Sequence, residues 1–472
     1  MNSHSCLPLN LDGSTFRGLL DETGDFLGDF LDRLPLAPVY VDEHGCTHDP
    51  LDASAPPENG RPLHDLLAAL ARAAEPGPST ASGGFMAAIP NCGLAATALA
   101  DLISNTLNKY TGVGYGAPGL VALEHGVTDW LVQIMGLPPT ATGLLTSGAS
   151  MATVSALACV REATALRDLY QAVIYVTDQT HPALAKAARL LGYPRTSIRQ
   201  VPVDDAQHMS LEALENAVRI DRAAGLTPVC LVANAGTANT GAVDPLEALA
   251  NIAAREGLWF HVDAAYGGFF RLTERGRARL TGVERADSLV VDPHESLFLP
   301  SGTGALLVRD DAILRRAHAE DEIIVLRDFV RGALPDFSAT GPELTRPLRG
   351  LRLWLPLQLH GVAAFRHALD AKLDLARRAY DTLSTISGVE VQSPPELSIA
   401  TFRIRTGGGA EADDLATDEL VRAINSEGRV MIGTTRVMGR TLARIAILGH
   451  RTGPEHFEDL TTAIRKQIRK WV

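Results

Sequence analysis

Short runs of consecutive apolar residues, each separated from the next by a helical segment, are the feature that most limits how this chain can fold. Such runs occupy residues 229–233, 258–262 and 305–308, together with Ala172–Val176 and Ser288–Val291. A strand with one face in water alternates apolar and polar residues, whereas these runs are apolar except at His261 and Ser288. The pattern predicts an α/β fold with a mostly parallel sheet flanked by helices on both faces.

The segments on either side of these runs predict two further parts of the chain. Two short helices, at residues 19–34 and Leu63–Ala74, have too little core to stand alone and should pack on a neighbour. We therefore expect an N-terminal helical arm at residues 1–84, a large α/β domain at 85–350 and a small C-terminal α+β domain at 351–472.

Within the C-terminal part, the sequence predicts helices around a few strands. Residues 351–375 form either one long helix or a pair of helices broken near Pro356, because proline removes a backbone donor from a helix. Strands are expected near Ile399–Ile404 and residues 442–447, and a closing helix at residues 455–471.

Composition excludes several classes of protein. The chain carries 55 acidic and 43 basic side chains, and the resulting formal net charge of −12 speaks against a nucleic-acid partner. The sequence has no run of about 18 apolar residues, so it predicts no membrane-spanning helix. The N-terminus lacks the features of a signal peptide. The five cysteines are scattered without metal-ligand spacing, which predicts no metal site and a cytoplasmic protein. Only five of the basic residues are lysine.

The polar residues that follow the apolar runs are the candidate site, because ligands of parallel sheets bind beyond the carboxyl ends of the strands. One such segment, Thr146-Ser147-Gly148-Ala149-Ser150, precedes a helix predicted at residues 151–163. A turn of small residues that opens a helix offers free backbone N–H groups to a phosphate. An ordinary Ser or Thr N-cap is the alternative interpretation.

Four more polar residues stand at comparable positions. Asp263 follows an apolar strand and is itself followed by small residues, so it could pair with a protonated ring nitrogen or simply cap a turn. His181 and His294 could stack on a ring or transfer protons, or could be satisfied by the backbone. Thr237 could place a hydroxyl beside a ligand or belong to a turn.

Taken together, these segments resemble the group II amino-acid decarboxylases that depend on pyridoxal phosphate (PLP), the family of the aromatic-amino-acid, glutamate and diaminobutyrate decarboxylases. The resemblance runs from about residue 85 to about residue 453. It is carried by residues 146–152, 178–181, 235–237, 240–241, 261–268, 287–288, 291–294, 304–310 and 349–354.

The resemblance implies the PLP-dependent transferase-like fold of type I, a homodimer and a small-molecule substrate. It also implies that Asp263 pairs with the pyridine nitrogen, so that the ring becomes an electron sink. His181 and Ala265 would lie against the two faces of the ring. The remaining contacts implied for the cofactor, at its phosphate and around the pocket, are those of Gly148, Ala149, Ser150, Thr237 and His294.

The sequence departs from the family at its central residue. The family carries a lysine directly after the histidine of Asp292-Pro293-His294, and that lysine forms a Schiff base with PLP. This chain has Glu295 there, and a carboxylate cannot form an imine. Two further departures accompany it: Ser301 stands where many bacterial relatives have tyrosine, and residues 320–329 lack the tyrosine of the family's mobile loop.

None of the five lysines is an obvious replacement. Lys186 is expected on the outer side of a helix, and Lys372, Lys466 and Lys470 on exposed helix faces of the C-terminal part. Lys109 lies in a loop and is the candidate that could reach the crevice.

Three functions stay open. The first is a divergent enzyme of the family that acts on a small amino-acid-like or carboxylate substrate without a lysine-bound cofactor. PLP or its amine form would bind non-covalently, if at all, and burial would raise the pKa of Glu295 and suit it to general acid/base work. The second is a conventional decarboxylase that uses another lysine. The third is a non-catalytic binding relative, which the polar residues of the pocket argue against.

Overall fold

The structure, a computed structural model, describes residue 7 and residues 9–42, 57–89, 92–166, 168–319 and 334–471. Among these residues no helix is both long enough and apolar enough to cross a bilayer. The described strands are β1 (Tyr40–Val41), β2 (Gly77–Pro78), β3 (Phe85–Met86), β4 (Thr142–Thr146), β5 (Ala172–Val176), β6 (Ile198–Gln200), β7 (Thr227–Asn234), β8 (Trp259–Ala264), β9 (Ser288–Val291), β10 (Gly304–Val308), β11 (Val389–Val391), β12 (Ile399–Ile404), β13 (Met431–Val437) and β14 (Arg440–Ala446). The described α-helices are α1 (Gly13–Arg33), α2 (Leu63–Ala74), α3 (Ala95–Leu107), α4 (Pro118–Met135), α5 (Ala149–Thr164), α6 (Ala183–Leu190), α7 (Leu211–Ala223), α8 (Leu246–Glu256), α9 (Glu274–Arg279), α10 (Pro293–Ser296), α11 (Asp311–His318), α12 (Gly350–Leu383), α13 (Ala410–Ser426) and α14 (Pro454–Ile468).

The central sheet contains the five predicted apolar runs. In the described part of the chain it has seven strands in the order β4-β10-β9-β8-β7-β5-β6. The neighbours from β9 to β6 are parallel, and β10 runs antiparallel to both β9 and β4. The predicted α/β fold with a mostly parallel sheet is therefore confirmed.

Apolar clusters cover both faces of this sheet. On β5, Val173 and Tyr175 enter one buried cluster and Ile174, which points the opposite way, enters the other. Each fully buried side chain of this size contributes about 1.5–3 kcal/mol through removal of apolar surface from water. Continuous apolarity in the sequence thus reflects a strand with two dry faces.

A second sheet is formed mostly by the C-terminal part. Its strands follow the order β11-β12-β14-β13-β3, antiparallel except for the parallel pair of β13 with β3. A separate buried cluster joins this sheet to the helices around it and includes Phe402, Leu420 and Phe457. Through β3, Phe85 and Met86 pair with Met431 and Ile432.

Three helices differ in detail from the sequence prediction. Helix α1 begins at Gly13 instead of residue 19, because the Asp12 carboxylate caps it by accepting from the N–H groups of Ser14 and Thr15. Helix α12 accommodates Pro356, and its break lies at Gly361, whose φ of 73° suits glycine. The closing helix ends at Ile468.

Candidate active site

The carboxyl ends of β5, β7, β8 and β9 meet at one edge of the central sheet because these strands are parallel. Asn234 at the end of β7 lies opposite Asp263 of β8, and Ala264 lies opposite Val291 of β9. Residues that follow these ends line a cavity of about 390 Å³, a size that suits a small molecule. The cavity brings together every site residue predicted from the sequence, namely Gly148, Ala149, Ser150, His181, Thr237, Asp263, Ala265, His294 and Glu295.

The small-residue turn forms one wall of the cavity. Gly148, with φ of 150°, is the N-cap of α5 and provides no side-chain cap, so the alternative of an ordinary Ser or Thr N-cap is not what the structure contains. The N–H of Ala149 donates to the Asp292 carboxylate at 2.9 Å. A Cβ atom on Gly304 would lie 2.4 Å from the carbonyl carbon of Gly148, so this glycine lets β10 approach the turn.

Asp263 lies on β8 and presents its carboxyl group to the cavity. Its Oδ1 accepts from the N–H of Ala265 at 3.1 Å. Burial raises the pKa of Asp263, although that N–H and the charge of His181 act in the opposite direction. A protonated ring nitrogen placed against Asp263 would supply the missing positive charge.

His181 and Thr237 each combine a local structural contact with a place on the cavity wall. His181 is exposed, and its Nδ1 accepts from the N–H of Ala183 at 3.2 Å, at the start of α6. The Oγ1 of Thr237 lies 2.9 Å from Oγ1 of Thr240 and accepts from the Thr240 N–H. Thr237 is therefore part of a turn whose hydroxyl groups satisfy one another.

Glu295 belongs to a short chain of ionisable groups on and beside α10. The Nδ1 of His294 lies 2.5 Å from Oδ1 of Asp292 and 3.0 Å from the carbonyl oxygen of Thr303. Its Nε2 lies 3.4 Å from Oε1 of Glu295. The other oxygen, Oε2, is buried and has no hydrogen-bond partner among the described residues. An imidazole thus stands between two carboxyl groups, one of which keeps an oxygen free.

The pKa values of this cluster shift together. Burial acts to lower the pKa of His294, but the hydrogen bonds and charges of Asp292 and Glu295 outweigh it and raise that pKa to about 10. Burial raises the pKa of Glu295, against the opposing effect of His294. Burial likewise raises the pKa of Asp292. The cluster therefore places a cationic imidazole between two carboxyl groups whose pKa values burial raises.

Donor atoms of Asp292, His294 and Glu295 all lie within 4.8 Å of one another, a spacing that a metal ion could also use. In this arrangement, however, Nδ1 of His294 is already engaged by Asp292 and Thr303. Hydrogen bonding accounts for the geometry of the three groups.

All five lysines lie in the described residues, and none of them lines the cavity. Lys186 and Lys466 are exposed on helices, as the sequence predicts. Lys470 is exposed in the turn after α14, and Lys109 is exposed just beyond α3. The prediction for Lys372 is wrong. This side chain is only 4% exposed, its Nζ donates to the carbonyl oxygen of Thr452 at 2.5 Å, and burial lowers its pKa to about 8.

Sequence reasoning missed several residues of the cavity wall. Asn234 ends β7 and donates to Asp244 at 3.0 Å, and Gln179 accepts from Asn239 at 2.9 Å. Tyr266 also lines the cavity and bonds to Ser398. The position of Asn234 at a strand end and that of Gln179 beside His181 are the signals that could have found them.

Ser301, where the sequence analysis predicts a departure from the family, lines the cavity as well. The third departure, at residues 320–329, lies outside the described residues. Glu295 and Ser301 therefore both line this cavity.

Comparison with known proteins agrees with the fold. The sequence profile described as the pyridoxal-dependent decarboxylase conserved domain matches residues 47–405. An aromatic-L-amino-acid decarboxylase of Bacillus atrophaeus is 34% identical over 81% of this chain and 80% of its own. Tryptophan decarboxylase 1 of Oryza sativa subsp. japonica is 30% identical over 97% of this chain and 94% of its own.

Among solved structures, that of Oryza sativa TDC with PLP and tryptamine superposes with a TM-score of 0.91. It is 28% identical in sequence and covers 99% of both chains. The likeness extends over the N-terminal helices, the central sheet and the C-terminal sheet alike.

Proposed function

Because this chain belongs to the pyridoxal-dependent decarboxylase family, we propose that it is an enzyme that has kept the family pocket and given up the covalent cofactor link. In this proposal Glu295 is the general acid/base, and PLP or its amine form binds without a bond to lysine. The substrate is a small amino-acid-like or carboxylate molecule.

The observation that carries the proposal is the pairing of an intact pocket with an acid at its centre. Glu295 lines the cavity together with the residues that resemble the family's cofactor contacts, and no lysine of the chain does so. A pocket without a function would be free to lose polar groups such as Asp263 and Asp292, because burying them is costly.

The residues present fit a phosphorylated pyridine. Gly148 leaves the first turn of α5 open on the cavity side, and helix N-termini favour anions, so Gly148, Ala149 and Ser150 would line the phosphate site. The N–H of Ala149 already donates to Asp292, so the other groups of this turn would supply the donors. Asp263 would pair with the ring nitrogen. His181 and Ala265 would flank the ring. When bound, the ring would supply an electron sink for charge that develops on the substrate.

Glu295 is suited to moving a proton. Burial raises its pKa, which brings the carboxyl group nearer to the working range of a general acid/base. His294, the cation beside it, can stabilise the carboxylate after the proton has left. Because Glu295 lines the cavity, its carboxyl group could pass the proton to or from a substrate there.

Two measurements test the proposal. Borohydride treatment of the protein saturated with PLP, followed by peptide mapping, is expected to label no lysine. Turnover by Glu295→Gln is expected to fall by about 10²–10⁴-fold, the usual contribution of a positioned acid/base. The exposed α7 residue Glu212 provides a matched control, and Glu212→Gln should retain full activity. A labelled lysine, or an unchanged rate in Glu295→Gln, would refute the proposal.

The same experiments separate the alternatives. A labelled lysine would support a conventional PLP-dependent decarboxylase, a function that the names of the relatives favour. Absence of turnover with any amino acid, tested with and without PLP by product mass spectrometry, would support a binding relative. The reaction itself is proposed to be a decarboxylation, or a dehydration, condensation or acyl transfer on a similar substrate.

We also propose that the protein is a cytoplasmic homodimer. Support comes from α3, where Leu99, Leu102, Ile103 and Leu107 are each 41–54% exposed. Apolar side chains grouped in this way usually mark an interface.

A further inference from the structure

We propose that the cavity takes its phosphorylated pyridine ligand in the amine form, with Glu295 as the ion-pair partner of the ligand's primary ammonium group. The inference rests on the proposed function, because it requires that such a ligand binds. It goes further by assigning the chemical state of the ligand to one side chain.

The first step is the charge of the cavity wall. Three carboxyl groups line it, those of Asp263, Asp292 and Glu295. Positive charge near Glu295 comes from His294, His181 and Arg444. Asp292 and the buried Cys92 thiol act on Glu295 in the opposite direction. The acidic part of the wall is therefore complementary to a cationic group on a ligand.

The second step is which of these acids is free. Asp292 accepts from the Ala149 N–H and pairs with His294, and Asp263 accepts from the Ala265 N–H. Glu295 has one oxygen near His294 and one buried oxygen without a partner among the described residues. Glu295 lines the cavity, so a donor brought by a ligand would give its carboxyl group a further partner.

The amine and aldehyde forms of the ligand differ in the group that they would present to Glu295. A primary ammonium offers three N–H donors, whereas an aldehyde oxygen at the same carbon can only accept. A carboxylate would therefore attract the amine and repel the aldehyde oxygen. In a protein with lysine at residue 295 the amine would come from the chain. In this chain residue 295 is a glutamate, so in our proposal the ligand provides the amine that pairs with it.

The fourth step is the size of the effect. A hydrogen bond to a charged group contributes about 1.5–3 kcal/mol, which corresponds to about 10- to 100-fold in affinity. The side chain of Glu295 is 22% exposed, so solvent screens the ion pair only in part.

Isothermal titration calorimetry with three phosphorylated pyridines tests the inference. Pyridoxamine 5′-phosphate carries the amine, PLP the aldehyde, and 4′-deoxypyridoxine 5′-phosphate only a methyl group. The native protein should bind the amine about 10- to 100-fold more tightly than the methyl compound. It should bind PLP no more tightly than the methyl compound.

Variants assign the preference to one residue. In Glu295→Gln the amine and methyl compounds should bind with similar affinity, while Glu212→Gln should behave as the native protein. Unchanged binding of the methyl compound to Glu295→Gln would show that this variant is folded.

The possible failures are distinguishable. Equal affinities of the native protein for the three compounds, or a preference that persists in Glu295→Gln, would overturn this inference and leave the proposed function standing. If none of the three compounds binds to the native protein, both fall.

Discussion

At the scale of single residues, His294 is the cation that stabilises the buried carboxyl group of Glu295. Its ring contacts Asp292 through Nδ1 and faces Glu295 through Nε2, so one positive charge serves two carboxyl groups. Together the three groups carry at most one unbalanced negative charge. This explains how a carboxyl group can occupy a largely buried place without a lysine or arginine bonded to it.

The raised pKa of His294 predicts a pH dependence of stability. An unfolded histidine has a pKa of 6.5, and this one titrates at about 10 in the folded protein. The stabilisation is therefore complete below pH 6.5 and is lost as the pH rises through about 10. The free energy of unfolding in urea should fall between pH 7 and pH 9.5, and it should fall less in His294→Gln. Equal slopes in the two proteins would contradict the assignment.

Restoring a lysine makes a second prediction at this scale. In Glu295→Lys an amine would project into the cavity from a position that the native side chain already occupies. We expect PLP to become bonded to residue 295, detected as a new visible absorbance band and as a borohydride-stable adduct in that peptide. Glu212→Lys, which adds a lysine on an exposed helix, should give no such band.

At the scale of elements, the turn before α5 depends on glycine in the neighbouring strand. Gly304→Ala would place a Cβ 2.4 Å from the Gly148 carbonyl carbon, so the turn must move. We expect a loss of about 1–3 kcal/mol in unfolding free energy, the usual cost of overpacking, together with weaker binding of phosphorylated pyridines.

Gly126→Ala in α4 is the matched control for this variant. No atom lies within 4 Å of its Cβ position, and alanine favours helix by about 0.5–1 kcal/mol. Equal stability changes in Gly304→Ala and Gly126→Ala would show that the close approach of β10 to the turn does not matter.

The strands and helices also show how much of the fold could be predicted from the sequence. Both faces of β5 and β9 are dry, so the apolar runs gave these strands with the observed bounds. A break in α12 is predicted near Pro356 because proline lacks a backbone N–H donor. The break occurs instead at Gly361, because glycine adopts a positive φ at little energetic cost.

Long-range contacts account for the rest. The burial of Lys372 depends on Thr452, 80 residues away, and the bond from Ala149 to Asp292 spans 143 residues. Local patterns contain no trace of either contact. The residues of the site could still be predicted because parallel strands bring their ends together without any knowledge of side-chain packing.

At the scale of the whole molecule, the exposed apolar face of α3 predicts a dimer. Leu99→Glu combined with Ile103→Glu places two charges one helical turn apart on this face, and we expect the variant to be monomeric by light scattering. Leu415→Glu, at a leucine that is 57% exposed on α13, should leave the mass unchanged. A native protein that is monomeric would contradict the proposed homodimer.

The bond between Asp292 and the amide of Ala149 joins two parts of the cavity wall that are 143 residues apart in the sequence. The same carboxylate that receives this amide also holds the imidazole of His294. An anion seated at the turn adds negative charge beside that carboxylate and so makes the imidazole more basic. Occupancy of the anion site would thus change, through a single aspartate, the basicity of the imidazole beside Glu295. The ring resonances of His294 would titrate at a higher pH in a phosphate-loaded protein than in a phosphate-free one.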